Sequence, residues 1–156
     1  MGSDSIRDVD YDLWVALWQT RDAIKRVREK ELKTYGITAV KASVLAILQT
    51  IGSAATPAKV GRALLREPHG ISVLVNRMVA EGLLRKANDL DKKNLVRVTV
   101  TEKGQRVYLQ TTKRESIHQI MSCLSEEDRR QLLLCLRKLR NKALADAAIP
   151  EPPSPL

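Results

Sequence analysis

The segment HGISVLVNRMVAEGLL, His69 to Leu84, spaces its apolar residues as a helix does. Ile71, Leu74, Val75, Met78 and Val79 recur three and four apart and fall on one face, while Ser72, Val73, Asn76 and Arg77 fall on the other. A helix that only packs has no need of such an outer face. Upstream, SAATPAKVGRALLREP offers Thr56 as an N-cap and Pro57 in the first turn, where proline's missing N–H costs nothing. The helix it opens is expected to run to about Leu65. Pro68 and Gly70 in REPHG read as the break before the next helix, which ends at Gly82. Two short helices across a tight break make a helix-turn-helix candidate.

Working outward, the period changes after Gly82. LLRKANDLDKKNLVRVTV holds a short apolar piece, a polar loop from Asn88 to Asn94, then Val96, Val98 and Val100 alternating with Arg97 and Thr99. This is the pattern of two antiparallel strands joined by a charged loop. Toward the N-terminus, Leu13, Trp14, Leu17, Trp18, Ile24 and Val27 predict a long amphipathic helix from about Val9 to Tyr35, stopped by Gly36. Thr38 then caps a helix over Ala39 to Ile51, closed by Gly52. Toward the C-terminus, Thr101 caps a helix expected to continue to about Leu124. Ser125 with Asp128 resembles a capping box and opens a last helix to about Ala148, with Leu132, Leu133, Leu136, Leu139 and Leu144 on a wide apolar face.

This order of elements is that of a winged helix-turn-helix: the fold class is mainly α with a small β wing, the domain flanked by long N- and C-terminal helices. A helix fits the major groove of duplex DNA, where base edges are distinguishable, and a basic loop can reach phosphate or the adjacent minor groove. Ile71, Leu74, Val75 and Met78 would hold the recognition helix on the core and leave its outer face to DNA. The bland alternative is an amphipathic helix with a solvated face.

Composition agrees with a polyanionic partner. Across 156 residues, 27 lysines and arginines face 18 acidic residues, a formal charge of +9. Basic and acidic residues alternate, so they decorate helices and do not form a tail. There is no phenylalanine and aromatic residues make up only 3% of the chain, which leaves few stacking platforms for single strands and favours duplex. Cys123 and Cys135 form no CxxC pair, and the apolar run from Val40 to Ile51 is broken by polar residues, so a reduced, cytoplasmic protein without a membrane span is expected.

The run ISVLVNRMVAEGLLRK followed by DLDKKNLVRVTVTEKGQ resembles the MarR family of bacterial and archaeal transcription regulators. There the recognition helix ends in Leu-x-x-x-Gly-Leu, and an Asp-Arg-Arg wing tip precedes a strand running into Leu-Thr-x-x-Gly. The resemblance spans nearly the whole chain and is densest from Ser72 to Gly104. It implies that Ser72 lies near the bases, that Asn76 and Arg77 fall on the outer face that follows, and that Asp91, Lys92 and Lys93 fall on the wing motif. Val73 stands where relatives carry a polar or basic residue, which suits a thymine methyl. Lys93 replaces the usual arginine and lacks its flat guanidinium.

The family is dimeric through its first and last helices, and the two long helices here carry more apolar surface than one small winged domain can bury. The expected organisation is residues 1–8 as a flexible N-terminus, 9–35 as the N-terminal dimerisation helix and 36–101 as the DNA-binding domain. Residues 102–148 form the C-terminal dimerisation helices and 149–156 a proline-rich tail. A homodimer would present two recognition helices to a pseudo-palindromic operator.

The expected DNA contacts are therefore Ser72, Val73, Asn76 and Arg77 in the major groove, with Lys92, Lys93 and Arg97 on or near the wing. Lys59, Arg62 and Arg66 are expected at phosphates, and His69, at the turn before the recognition helix, suits a DNA backbone or phosphate contact and a simple turn role equally. Trp14 and Trp18 could line a small-molecule effector pocket of the kind many family members form, although a tryptophan pair one turn apart is more often core or interface. His118 and Cys123, five apart on one helix, point to different faces, so no metal, cofactor or catalysis is expected. The peroxide-sensing branch of the family uses a cysteine in the first long helix, and this chain has none there. The overall expectation is a repressor released by a small ligand. The rival reading is a winged-helix module that binds protein, which also accounts for an outward Val73.

Overall fold

The computed structural model describes residues 8–152. Most of the expected N-terminal segment and the last half of the proline-rich tail lie outside the described residues. Seven helices and one hairpin follow the order α1 (Val9–Lys33), α2 (Ala39–Ile51), α3 (Pro57–Ala63), α4 (Pro68–Ala80), β1 (Leu84–Asn88), β2 (Val96–Val100), α5 (Glu102–Thr111), α6 (Glu115–Met121) and α7 (Glu126–Asp146). A 3-10 turn, Gly52–Ala54, follows α2.

The caps fall where the side chains place them. Thr38, Thr56 and Thr101 accept from the backbone N–H three residues on, and Ser125 and Asp128 form a complete capping box. Each such cap contributes about 1 kcal/mol. Asp8, assigned to the N-terminal segment, is the N-cap of α1 and accepts from the backbone N–H groups of Asp10 and Tyr11.

Two boundaries differ from the sequence reading. Pro68 does not break the chain; it is the first residue of α4, where it lacks a donor that has no use, and Gly70 lies inside the helix. The break falls earlier, where Leu65 adopts φ +52° and the Arg66 N–H donates to the Gly61 carbonyl at 2.9 Å. This closes α3 in a Schellman turn with leucine where glycine is usual. The expected single helix from Thr101 to Leu124 is two helices, α5 and α6, divided at Arg114 with φ +52°. Its cause lies far away in the chain. The Glu31 carboxylate on α1 accepts from the backbone N–H groups of Glu115 at 3.0 Å and Ser116 at 3.2 Å, and from the Ser116 hydroxyl, so it caps α6 from outside.

Arg28 completes this tie, donating to Glu31 at 2.6 Å and to the Thr111 carbonyl at 2.7 Å. Burial pushes the Glu31 pKa up, but the Ser116 hydroxyl and the Arg28 guanidinium outweigh it and lower the pKa from 4.5 to about 2. α1 is thereby fastened to the α5–α6 junction.

The core sits under the helix-turn-helix. Val44, Leu45 and Leu48 of α2, Val60 of α3, Ile71, Val75 and Met78 of α4, and Leu84 and Val98 of the hairpin form one buried cluster, joined by Leu32 from the end of α1. Burying each of the large side chains contributes about 1.5–3 kcal/mol, an upper estimate. A Cβ added at Gly61 would stand 3.3 Å from Ile71 Cγ1 and 3.4 Å from the Arg66 carbonyl, so α4 packs closely on α3 where glycine leaves room. At Gly104 it would stand 2.2 Å from the Leu83 carbonyl oxygen, which explains the glycine of Thr101-Glu102-Lys103-Gly104: α5 starts hard against the α4–β1 turn. By contrast, α7 buries Leu144 alone among its residues. Among the described residues no helix is long and apolar enough to cross a membrane.

Candidate nucleic-acid interface

The strands pair antiparallel with Leu84 opposite Val100, Lys86 opposite Val98 and Asn88 opposite Val96. Their loop is the wing. Its root is held to the helix-turn-helix through one stretch of backbone, Ala54–Ala55. The Val98 N–H donates to the Ala55 carbonyl at 3.0 Å, and the Ala54 carbonyl accepts from both Lys59 Nζ and Arg97 Nη1 at 2.9 Å. Arg97 Nε also donates to Asp89 Oδ2 at 2.7 Å. The Arg97 guanidinium, with the backbone N–H groups of Asp91 and Lys92, holds the Asp89 carboxyl below the usual carboxylate range.

The expected outer face of α4 is an outer face. Ser72, Val73, Asn76 and Arg77 are exposed, whereas Ile71, Val75 and Met78 are buried and Leu74 and Val79 half-buried. Arg62, Arg66 and His69 are exposed on or beside the same two helices, and Lys92 and Lys93 on the wing. Lys59 and Arg97 are half-buried, and each is committed to the Ala54 carbonyl, so their first task is to seat α3 and the wing. Asn76 accepts from Lys86 Nζ through its side-chain oxygen, which ties the middle of α4 to β1. Lys86 and its exposed neighbour Arg85 were missed in the sequence. The short apolar piece that opens LLRKAN suggests a strand but does not show that its lysine reaches the next element.

Trp14 and Trp18 stand exposed on the N-terminal half of α1, with the Tyr11 ring tilted 34° to that of Trp14 at a centroid distance of 5.7 Å. A concavity of about 210 Å³ lies nearer the lobe, lined by residues of α1, α2, α5 and α6 such as Arg28, Leu32, Ala42, Tyr108 and Ile117, and the two tryptophans are not in it. His118, Cys123 and Cys135 are exposed, and the described residues hold no group of three His, Cys, Asp or Glu placed to bind a metal.

These features define a winged helix-turn-helix carried between long helices. The sequence profile of the MarR family matches residues 35–94. The chain is 32% identical to the organohalide-sensing RdhR-CbdbA1625 transcriptional regulator in its 2,4-dichlorophenol-bound form, over 92% of this chain and 88% of that one, with a TM-score of 0.81. Mutant MarR from E. coli complexed with operator DNA is 18% identical, covering 88% and 99% of the two chains at a TM-score of 0.79. S. aureus MepR in its DNA complex is 21% identical, covering 82% and 96% at 0.75. The last two share the fold. No curated protein matches the sequence significantly. The chain belongs to the MarR family and has the fold of its transcriptional regulators.

Proposed function

We propose that this protein is a sequence-specific, duplex-DNA-binding transcriptional regulator, not an enzyme, that acts as a homodimeric repressor released by a small molecule. The observation that carries the reading is the exposed set Ser72, Asn76 and Arg77, standing on buried Ile71, Val75 and Met78 and flanked by a wing bearing Lys92 and Lys93. A helix with that face fits the major groove while the wing lysines meet the backbone or the minor groove. Arg62 and Arg66 add phosphate contacts beside it.

Dimerisation is supported by apolar surface that the chain leaves uncovered. Leu13, Trp14 and Leu17 on α1, and Leu132, Leu136 and Leu139 on α7, are all exposed. A second copy would cover both stripes and place two copies of α4 on a pseudo-palindromic site. The effector reading is supported by the concavity beside Arg28, Tyr108 and Ile117, and by the bound dichlorophenol of the 32%-identical relative. In this reading Trp14 and Trp18 belong to the dimer face.

The test is fluorescence anisotropy on duplexes enriched from a random pool, against a scrambled duplex, at two salt concentrations. R77A is expected to weaken specific binding by about 1–3 kcal/mol, while K92A weakens all sequences alike and lowers the salt slope by about one. Equal loss on both duplexes for R77A would remove Arg77 from base recognition. Binding to no duplex at low salt would leave the protein-interaction reading, which an apolar, salt-insensitive interface would mark.

A further inference from the structure

Leu90, at the wing tip, is 99% exposed, against 63% for Val9, the next most exposed large apolar residue among the described ones. A lone leucine on a surface is ordinary. This one differs in how it is held. Asp89 Oδ1 accepts from the backbone N–H groups of Asp91 at 2.9 Å and Lys92 at 3.0 Å, and Asp89 Oδ2 from Arg97. The Asp89 N–H donates to the Leu95 carbonyl and the Leu95 N–H to the Lys92 carbonyl, both at 2.8 Å. Arg97 in turn is anchored on Ala54. The turn around Leu90 is thus closed on both sides and rooted in the lobe, so the leucine cannot fold back to find cover.

Its surroundings select the occupant. Lys92 and Lys93 stand exposed just beyond Asp91, and the strand that leads into the loop is tied to α4 where Lys86 donates to Asn76. A protein partner would need a wider apolar surface than one leucine among charges. The DNA minor groove is a slot with apolar sugar walls and phosphate rims, which accepts an apolar side chain while neighbouring lysines meet the phosphates. Building on the DNA-binding reading above, we propose that Leu90 is a minor-groove wedge that enters the groove flanking the α4 site and partly unstacks a base step. The wing then reads deformability: pyrimidine–purine steps, which unstack most cheaply, are favoured where Leu90 lands, without a hydrogen bond to any base.

The experiment uses the full chain and a duplex enriched from a random pool, with 2-aminopurine placed at each flanking step in turn. Wild-type binding is expected to raise 2-aminopurine fluorescence at one step in each half-site. L90A should abolish that rise and weaken binding by about tenfold, since an apolar contact is lost, with an unchanged salt slope. K92A should lower the slope and keep the rise. Because Leu90 packs against nothing, circular dichroism of L90A should match wild type.

Wild-type affinity and fluorescence in L90A would overturn the wedge and leave the DNA reading standing. A loss of affinity in L90A with no unstacking signal in wild type would also overturn it, replacing the wedge by a surface contact. Failure of the wild type to enrich any duplex would overturn both readings.

Discussion

The winged lobe and the two long helices use the same kind of apolar periodicity and treat it in opposite ways. In the lobe, Leu45, Val75 and Val98 have no exposed surface, and each stripe closes on another stripe of the same chain. On α1 and α7, Leu13, Trp14 and Leu139 are more than half exposed. An apolar stripe therefore says that a face is to be covered, and only the three-dimensional arrangement says whether this chain does the covering.

The sharpest way to break the lobe is G104A. Its Cβ would meet a backbone carbonyl, which cannot swing aside, so a loss of at least about 3 kcal/mol in chemical denaturation is expected. The long helices should respond differently. L139D puts a carboxylate on the proposed dimer face, and self-association measured by sedimentation should weaken by about 100-fold or more, because an unpaired ion is costly to bury. The lobe's near-native signals should persist. An L139D protein that associates like wild type would place the dimer face elsewhere.

The smallest effect belongs to the tie between α1 and the α5–α6 junction. E31Q removes the charge that holds Ser116 and Arg28 and should cost about 1 kcal/mol at neutral pH. Because the Glu31 pKa is lowered from 4.5 to about 2, the contribution of its charge is complete above the upper value and fades as pH falls toward the lower one. The stability gap between wild type and E31Q should close over that window in acid denaturation curves.

Local chemistry was legible in the sequence. Thr38, Thr56, Thr101 and Ser125 could be read as caps because a cap needs only its own next three residues. The break at Arg114 was not legible, because the group that caps α6 lies 84 residues upstream of Glu115. Nor was the turn at Leu65, where a leucine takes a conformation that sequence reasoning assigns to glycine. For the site, periodicity separated the two sides of α4 correctly, but it could not tell a free cation from one already engaged. Lys59 read as a phosphate ligand and Arg97 as a DNA contact on or near the wing, and both donate to the Ala54 carbonyl, which carries no sequence signal.

The tight crossing at Gly61 makes a single mechanical part of α3 and α4. With Ile71 seated against bare backbone, the recognition helix has little room to slide or tilt independently of α3. Whatever moves one of these helices carries the other, so any signal that alters the distance between two DNA-reading helices must swing a whole lobe, as a door turns on its hinge with its handle fixed in place.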